Sequence, residues 1–190
     1  MKANLASRFS VSFAIILATA LSSAAAFAAD DDYEVGDTVG PKGPISVAGL
    51  EHGLELYDKD VADRCIVGKL QIRTTINGAG DYGLVKLELF GEKDFMKKSG
   101  KLRTIRVPAT AAPLMICIDI ETPGEYALSS YHDEDADRKF DKKWNFKPKE
   151  PYGLSQNPVI KSLRLPKWSE TKFDVPMSGA NITINLVDPD

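Results

Sequence analysis

The sequence holds few residues of the kinds that most often do chemistry: two Cys and two His in 190 residues, with two Trp. Two cysteines are too few for a disulfide-dense miniprotein or a cysteine-rich zinc site. The absence of a Cys-x-x-Cys pair removes the usual redox motif. An excess of positive charge is also missing. With 24 basic and 27 acidic residues the net charge is −3, so nucleic acid is not an expected partner. There is no phosphate-binding glycine loop, no His-Glu-x-x-His and no Gly-x-Ser-x-Gly. A Ser–His–Asp set would need His52, in an irregular arm, or His132, among carboxylates. Two acids distant in the chain would suffice for a glycosidase; nothing else points to catalysis, and a non-catalytic protein is expected. Apolar residues at 43% and charged residues at 27% are ordinary for a globular chain, and the length suits one domain plus a tail.

What is present begins with a targeting segment. Lys2 and Arg8 form a sparse positive region, and residues 11–21 (VSFAIILATAL) are almost all apolar. The stretch that follows ends in small residues, with cleavage expected between Ala28 and Ala29. The alternative is a retained anchor, but the run is shorter than the roughly 20 residues that span a bilayer. Residues 1–28 therefore read as a signal peptide. Their removal takes away two cations and no anion, and leaves no span beyond. The product is expected in the periplasm or outside the cell. In an oxidising compartment two cysteines allow one intramolecular pairing, Cys65 with Cys117; the alternative is two buried thiols.

Residues 29–64 are expected to form an acidic, then Gly- and Pro-rich arm with little structure of its own beyond a short helical turn over residues 58–64 and an added edge strand. Residues 65–190 have period 2 rather than 3.6. Leu70, Ile72, Thr74 and Ile76 share a face before the Asn77-Gly78 turn. Val85, Leu87 and Leu89 alternate with Lys86 and Glu88, the mark of a half-buried strand. Similar short runs lie at 103–107, 114–120, 125–131, 163–165, 173–175 and 182–186. The expected fold is all-β: an antiparallel β-sandwich of seven or eight strands, immunoglobulin/prealbumin-like, with a long acidic-aromatic loop and the irregular arm.

That loop, residues 132–160, breaks the rhythm, and breaks of this length in a compact domain tend to be functional. Asp133, Asp135, Asp137 and Asp141 fall at positions 1, 3, 5 and 9, and the Lys139 carbonyl at position 7, of an EF-hand-type Ca²⁺ register. Position 6, normally Gly, is Arg138, and position 12, normally a bidentate Glu, is Trp144. The competing reading is a solvated acidic turn balanced by neighbouring lysines. His132, Trp144, Phe146, Tyr152, Ser155 and Asn157 make a second candidate, a ligand surface with an aromatic platform; alternatively its rings cover the loop's own small core.

The runs Pro123-Gly124-Glu125-Tyr126-Ala127, Tyr131-His132-Asp133-Glu134-Asp135, Phe140-Asp141 and Tyr152-Gly153-Leu154-Ser155-Gln156-Asn157 resemble the secreted bacterial family of domain of unknown function 2141. The resemblance covers most of residues 65–187. It implies an exported β-sandwich without an established activity and makes the four aspartates part of the family's pattern, with Asp135 in place of the usual Asn and Arg138 in place of the usual Gly. The expected function is an exported, non-catalytic binding or interaction module with a Ca²⁺-ordered loop, facing a protein or glycan of the cell envelope. The alternative is a structural envelope or accessory domain without a metal site that reaches a protein partner through its N-terminal arm.

Overall fold

The computed structural model describes residues 51–110, 113–145, 147–159 and 164–189. The signal segment, the Ala28/Ala29 junction, residues 29–50 and Phe146 lie outside them. The described chain is mostly β-strand: β1 Gln71–Asn77, β2 Leu84–Phe90, β3 Lys101–Pro108, β4 Leu114–Asp119, β5 Gly124–Asp133, β6 Tyr152–Leu154, β7 Phe173–Val175 and β8 Ala180–Asn185. Among the described residues helix is limited to Glu51 and His52 and to single turns at Asp58–Asp60, Lys98–Gly100 and Trp168–Thr171.

The strands form two sheets, ordered β4-β1-β8 and β3-β2-β5-β6, with β7 on the same edge of β5 as β6. Seven strands lie where the period-2 pattern places them. The eighth run, around residue 165, is not a strand, and residues 160–163 lie outside the described chain. In its place β6 occupies Tyr152–Leu154, a segment that reads as a turn because Gly153 interrupts its apolar side chains. The glycine is needed there: a Cβ would stand 2.6 Å from Ile184 Cγ2. Pairing is also not uniformly antiparallel. β8 lies parallel to β1, with Thr74 opposite Ile182. Parallel neighbours need a long crossover rather than a hairpin, and these two strands are separated by most of the domain.

Alternation places one face of each sheet in a shared core. Ile72 and Ile76 of β1, Ile116 and Ile118 of β4 and Ile184 of β8 meet Val85, Leu87 and Leu89 of β2, Ile105 of β3 and Leu128 of β5. The opposite face of β2, expected to meet solvent, is covered as well. Lys86 is only 2% exposed; its ammonium lies 2.9 Å from Glu88 Oε1 and 5.2 Å from the Tyr131 ring centre. Lys101 Nζ lies 2.8 Å from the same Glu88 oxygen. Burying these charges is tolerable because each meets an opposite charge or a ring face.

Part of this cover is the arm. Leu56, Tyr57 and Asp60 are buried, and Asp63 then bonds to an edge strand of each sheet, β4 and β3. The Asp63 amide donates to Cys117 O of β4 at 2.9 Å. Its carboxylate accepts from the Asp119 amide at 2.7 Å and from Arg103 Nη1 of β3 at 2.9 Å. A 3₁₀ turn spans Asp58–Asp60, within the expected helical segment, and Asp63 forms an isolated bridge with Cys117; the arm before residue 51, where an edge strand is expected, lies outside the described residues. Residues 55–65 are therefore built into the folded body rather than loosely attached to it. The next residues are pinned by the Cys65–Cys117 disulfide, with Cα atoms 5.3 Å apart.

The disulfide closes a loop across 52 positions. Chain-entropy arithmetic for a loop of that size gives about 4 kcal/mol. Replacing both cysteines by serine is expected to lower the unfolding free energy by about 2–4 kcal/mol in a urea titration. An unchanged midpoint would show that the bridge constrains nothing.

Candidate functional site

β5 carries the site because it ends at the acidic loop. Successive residues on a strand point to opposite faces. Val85, on the core side of β2, is paired with His132, and Leu84, on the other side, is paired with Asp133. His132 therefore turns inward. It is buried, its Nε2 lies 2.6 Å from Tyr82 O, and the Gly80 amide donates to Nδ1 at 3.4 Å. Its Nδ1 also lies 4.0 Å from Glu134 Oε1, and it points to the opposite face of β5 from Asp133.

Asp133 turns to the covered face and anchors the loop. It is 1% exposed. Its Oδ1 accepts the Asp137 amide at 3.1 Å, and its Oδ2 accepts the Arg138 amide at 2.8 Å. These bonds curl the chain so that carboxylate oxygens of Asp133, Asp135 and Asp137 all lie within 4.8 Å of one another. The curl requires left-handed backbone at Ala136, φ 57°, and at Arg138, φ 71°. Arg138 thus takes the conformation for which glycine is usual, at a strain of about 1–2 kcal/mol. Compensation comes from its side chain. Nη2 donates to Asp60 Oδ2 at 2.9 Å, Nη1 donates to Glu55 O at 2.6 Å, and the guanidinium lies 4.6 Å from the Tyr57 ring centre. Asp60 also accepts from Arg106 Nη1 of β3 at 3.0 Å. All three charged groups are buried.

Two of the expected ligands stand differently. Asp141 is not in the cluster; its carboxylate takes Lys149 Nζ at 3.1 Å. The chain turns into a hairpin at this point, and the Asp141 carboxylate stays beside the returning strand. Lys139 places its ammonium 3.4 Å from Asp137 Oδ2, where it neutralises one of the clustered carboxylates. A residue without a motif signal enters instead. Glu150 is 5% exposed, and its Oε2 accepts the Asp141 amide at 3.0 Å. It lies close enough to Asp133 to feel its charge: burial, with Asp133 adding to it and the Asp141 amide opposing it, pushes Glu150 up to about 7. Burial pushes Asp133 up to about 6, against the Arg138 amide and with help from Asp137 and Asp135.

Among the described residues the aromatic candidates Trp144 and Tyr152 stand apart. Trp144 is 94% exposed, whereas the Tyr152 ring packs against Phe140, which packs in turn against Tyr131. These rings cover the loop's own small core. Ser155 and Asn157 are also structural. The Ser155 hydroxyl accepts the Leu128 amide at 2.9 Å and donates to Thr171 O at 2.6 Å, filling the gap where the edge of β5 passes from β6 to β7. The Asn157 amide acts as a piece of strand beside β8: Nδ2 donates to Thr183 O at 2.9 Å, and Oδ1 accepts the Asn185 amide at 2.7 Å. Both polar side chains are spent on backbone groups and are not offered to a ligand.

A family model described as an uncharacterized protein conserved in bacteria (DUF2141) matches residues 75–185, more than half of the chain. The chain belongs to this family. No curated protein and no solved structure matches it. The DUF2141 span contains the acidic loop, Glu150 and the segment from Tyr152 to Asn157, but neither Asp60 nor Cys65. In this member of DUF2141 the left-handed turn at Arg138 is thus tied to a residue outside the family span.

Asp60→Ala leaves two buried guanidinium groups without their carboxylate. It is expected to destabilise the protein by about 3–5 kcal/mol in denaturant titration. A loss below about 1 kcal/mol would show that water replaces the carboxylate easily.

Asp133 and Glu150 also set a pH dependence. Their folded values lie above those of the unfolded chain, so the folded state holds more protons between about pH 4 and 7. Their contribution to stability is fully present below that window and is lost as the pH rises through it. In EDTA, Glu150→Gln is expected to reduce the fall in stability between about pH 5 and 8 by about 2 kcal/mol. An identical pH profile in the variant would exclude Glu150 as its source.

Proposed function

We propose that this member of DUF2141 is an exported, non-catalytic binding module on an immunoglobulin/prealbumin-like sandwich, and that its acidic loop takes up a divalent cation, Ca²⁺ by preference. The cation would order the surface that meets a protein or glycan of the cell envelope. The observation that carries this reading is the convergence of Asp133, Asp135 and Asp137 on a turn left-handed at both Ala136 and Arg138. Carboxylate oxygens suit a hard cation, and Ca²⁺ tolerates the irregular shell that such a loop offers better than Mg²⁺ does. His132 lies on the other face of β5, so the cluster offers oxygen only, which disfavours zinc. A cation would displace the Lys139 ammonium from Asp137 and relieve the repulsion from Asp137 and Asp135 that adds to the effect of burial on Asp133. The Cys65–Cys117 bridge suits an oxidising compartment and supports export.

The test is thermal unfolding in EDTA, then with Ca²⁺ and separately with Mg²⁺. At a hundredfold excess over Kd, binding to the folded state adds about 2.7 kcal/mol. For a chain of this size that is a rise of roughly 5–10 °C. Asp135→Asn combined with Asp137→Asn preserves side-chain hydrogen-bond acceptors and removes two charges; it is expected to abolish the rise and leave the Tm in EDTA nearly unchanged. No shift in the wild type at millimolar Ca²⁺ would sink the metal reading.

A further inference from the structure

Beyond the acidic loop the chain turns back on itself in a hairpin that neither the fold nor the cation cluster uses. Lys142 is bridged to Pro148, the Lys143 amide donates to Lys147 O at 2.7 Å, and the Lys149 amide donates to Asp141 O at 2.9 Å. At the tip the Lys147 amide donates to Asn145 Oδ1 at 3.2 Å. Residues 142–149 contain four lysines and no acid, in a chain whose net charge is −3. The two acids that flank this stretch, Asp141 and Glu150, lie at the open end; Asp141 is occupied by Lys149 Nζ, and Glu150 is buried. Trp144 stands at the tip, 94% exposed.

We propose that this lysine hairpin docks on an anionic phospholipid surface, with the Trp144 indole entering the headgroup region and the lysines facing the phosphates. Trp is usually buried in large part, and leaving most of an indole in water forgoes the burial of roughly 150–250 Å². An indole with an apolar body and one N–H donor is suited to the boundary between water and acyl chains. Flanking lysines are attracted to anionic headgroups, and their long stems follow the surface while the ammonium groups stay wet. The shape points the same way: a convex tip needs a soft, laterally extended partner rather than a pocket. A glycan platform would require a second ring beside Trp144, but the Tyr152 ring is engaged with Phe140. A nucleic acid would meet only this one basic hairpin on an acidic molecule.

The experiment is vesicle flotation of the protein in the form its host cell accumulates, with EDTA throughout so that the acidic loop carries no cation. Vesicles rich in phosphatidylglycerol are compared with pure phosphatidylcholine. The wild type is expected to float with the anionic vesicles only, and to be released as the salt is raised to about 0.5 M. Lys142→Glu combined with Lys147→Glu is expected to weaken partition by more than about twentyfold, at roughly fivefold for each lysine removed. Trp144→Ala is expected to weaken it by about tenfold and to abolish the blue shift of indole fluorescence, leaving the Trp168 signal unchanged. Lys142 and Trp144 are exposed and Lys147 is half-buried, and an unaltered Tm shows that the variants fold. Equal flotation with neutral vesicles, no flotation of the wild type at low salt, or unchanged partition of the variants would overturn the proposal. So would capture by purified peptidoglycan in place of vesicles. Because no cation is present, failure here leaves the calcium reading standing, and failure of the calcium reading leaves this one standing.

Discussion

The Asp60 carboxylate holds together parts of the chain that no sheet connects. It accepts from Arg106 on β3 and from Arg138 in the acidic loop, and its residue belongs to the arm. Each guanidinium would be costly to bury alone; one carboxylate between them gives each an opposite charge, and the Tyr57 ring lies beneath Arg138. The geometry has three consequences. The outer face of β2 and β3 is covered, so that Lys86 and Glu88 sit in a polar second core. The arm is locked before it reaches Cys65. The backbone of Arg138 is held left-handed, which lets its amide and that of Asp137 close on Asp133.

The acidic loop is consequently shaped by charge rather than by glycine. A glycine at position 138 would adopt the turn without strain but would contribute nothing to Asp60. Arginine adds strain in the backbone and offsets it through hydrogen bonds from its side chain. The same loop carries two exposed carboxylates, Asp135 and Asp137, beside two buried acids, Asp133 and Glu150, that burial raises. At the proposed cation site a proton and a cation would compete for the same oxygens. The lysine hairpin that follows reverses the sign of charge within a few residues.

Much of the architecture was legible because period 2 is a strong signal when one face is buried. Ile72, Thr74 and Ile76, or Val85, Leu87 and Leu89, leave little choice of which side faces the core. The disulfide was legible because two cysteines admit one intramolecular pair. The aspartates at 133, 135 and 137 were legible because ligand spacing along a loop is local. β6 was not, because three residues with a central glycine carry no periodicity. Glu150 was not, because its meaning comes from the other end of the loop. Ser155 and Asn157 looked like ligand residues because polar side chains that patch backbone gaps have the same composition as polar side chains that bind.

By itself the sequence determined the all-β class, the core face of most strands, the cysteine pair and the spacing of the acidic cluster, since each depends on residues near one another in the chain or on simple counting. Tertiary structure decided the parallel pairing of β1 with β8, the burial of Lys86 and Glu88, the inward turn of His132, and the joining of Asp60 to Arg106 and Arg138. These depend on which distant segments share a face. A buried charge is stable only where its partner is brought to it, and that partner is 46 positions away for Arg106 and 78 for Arg138.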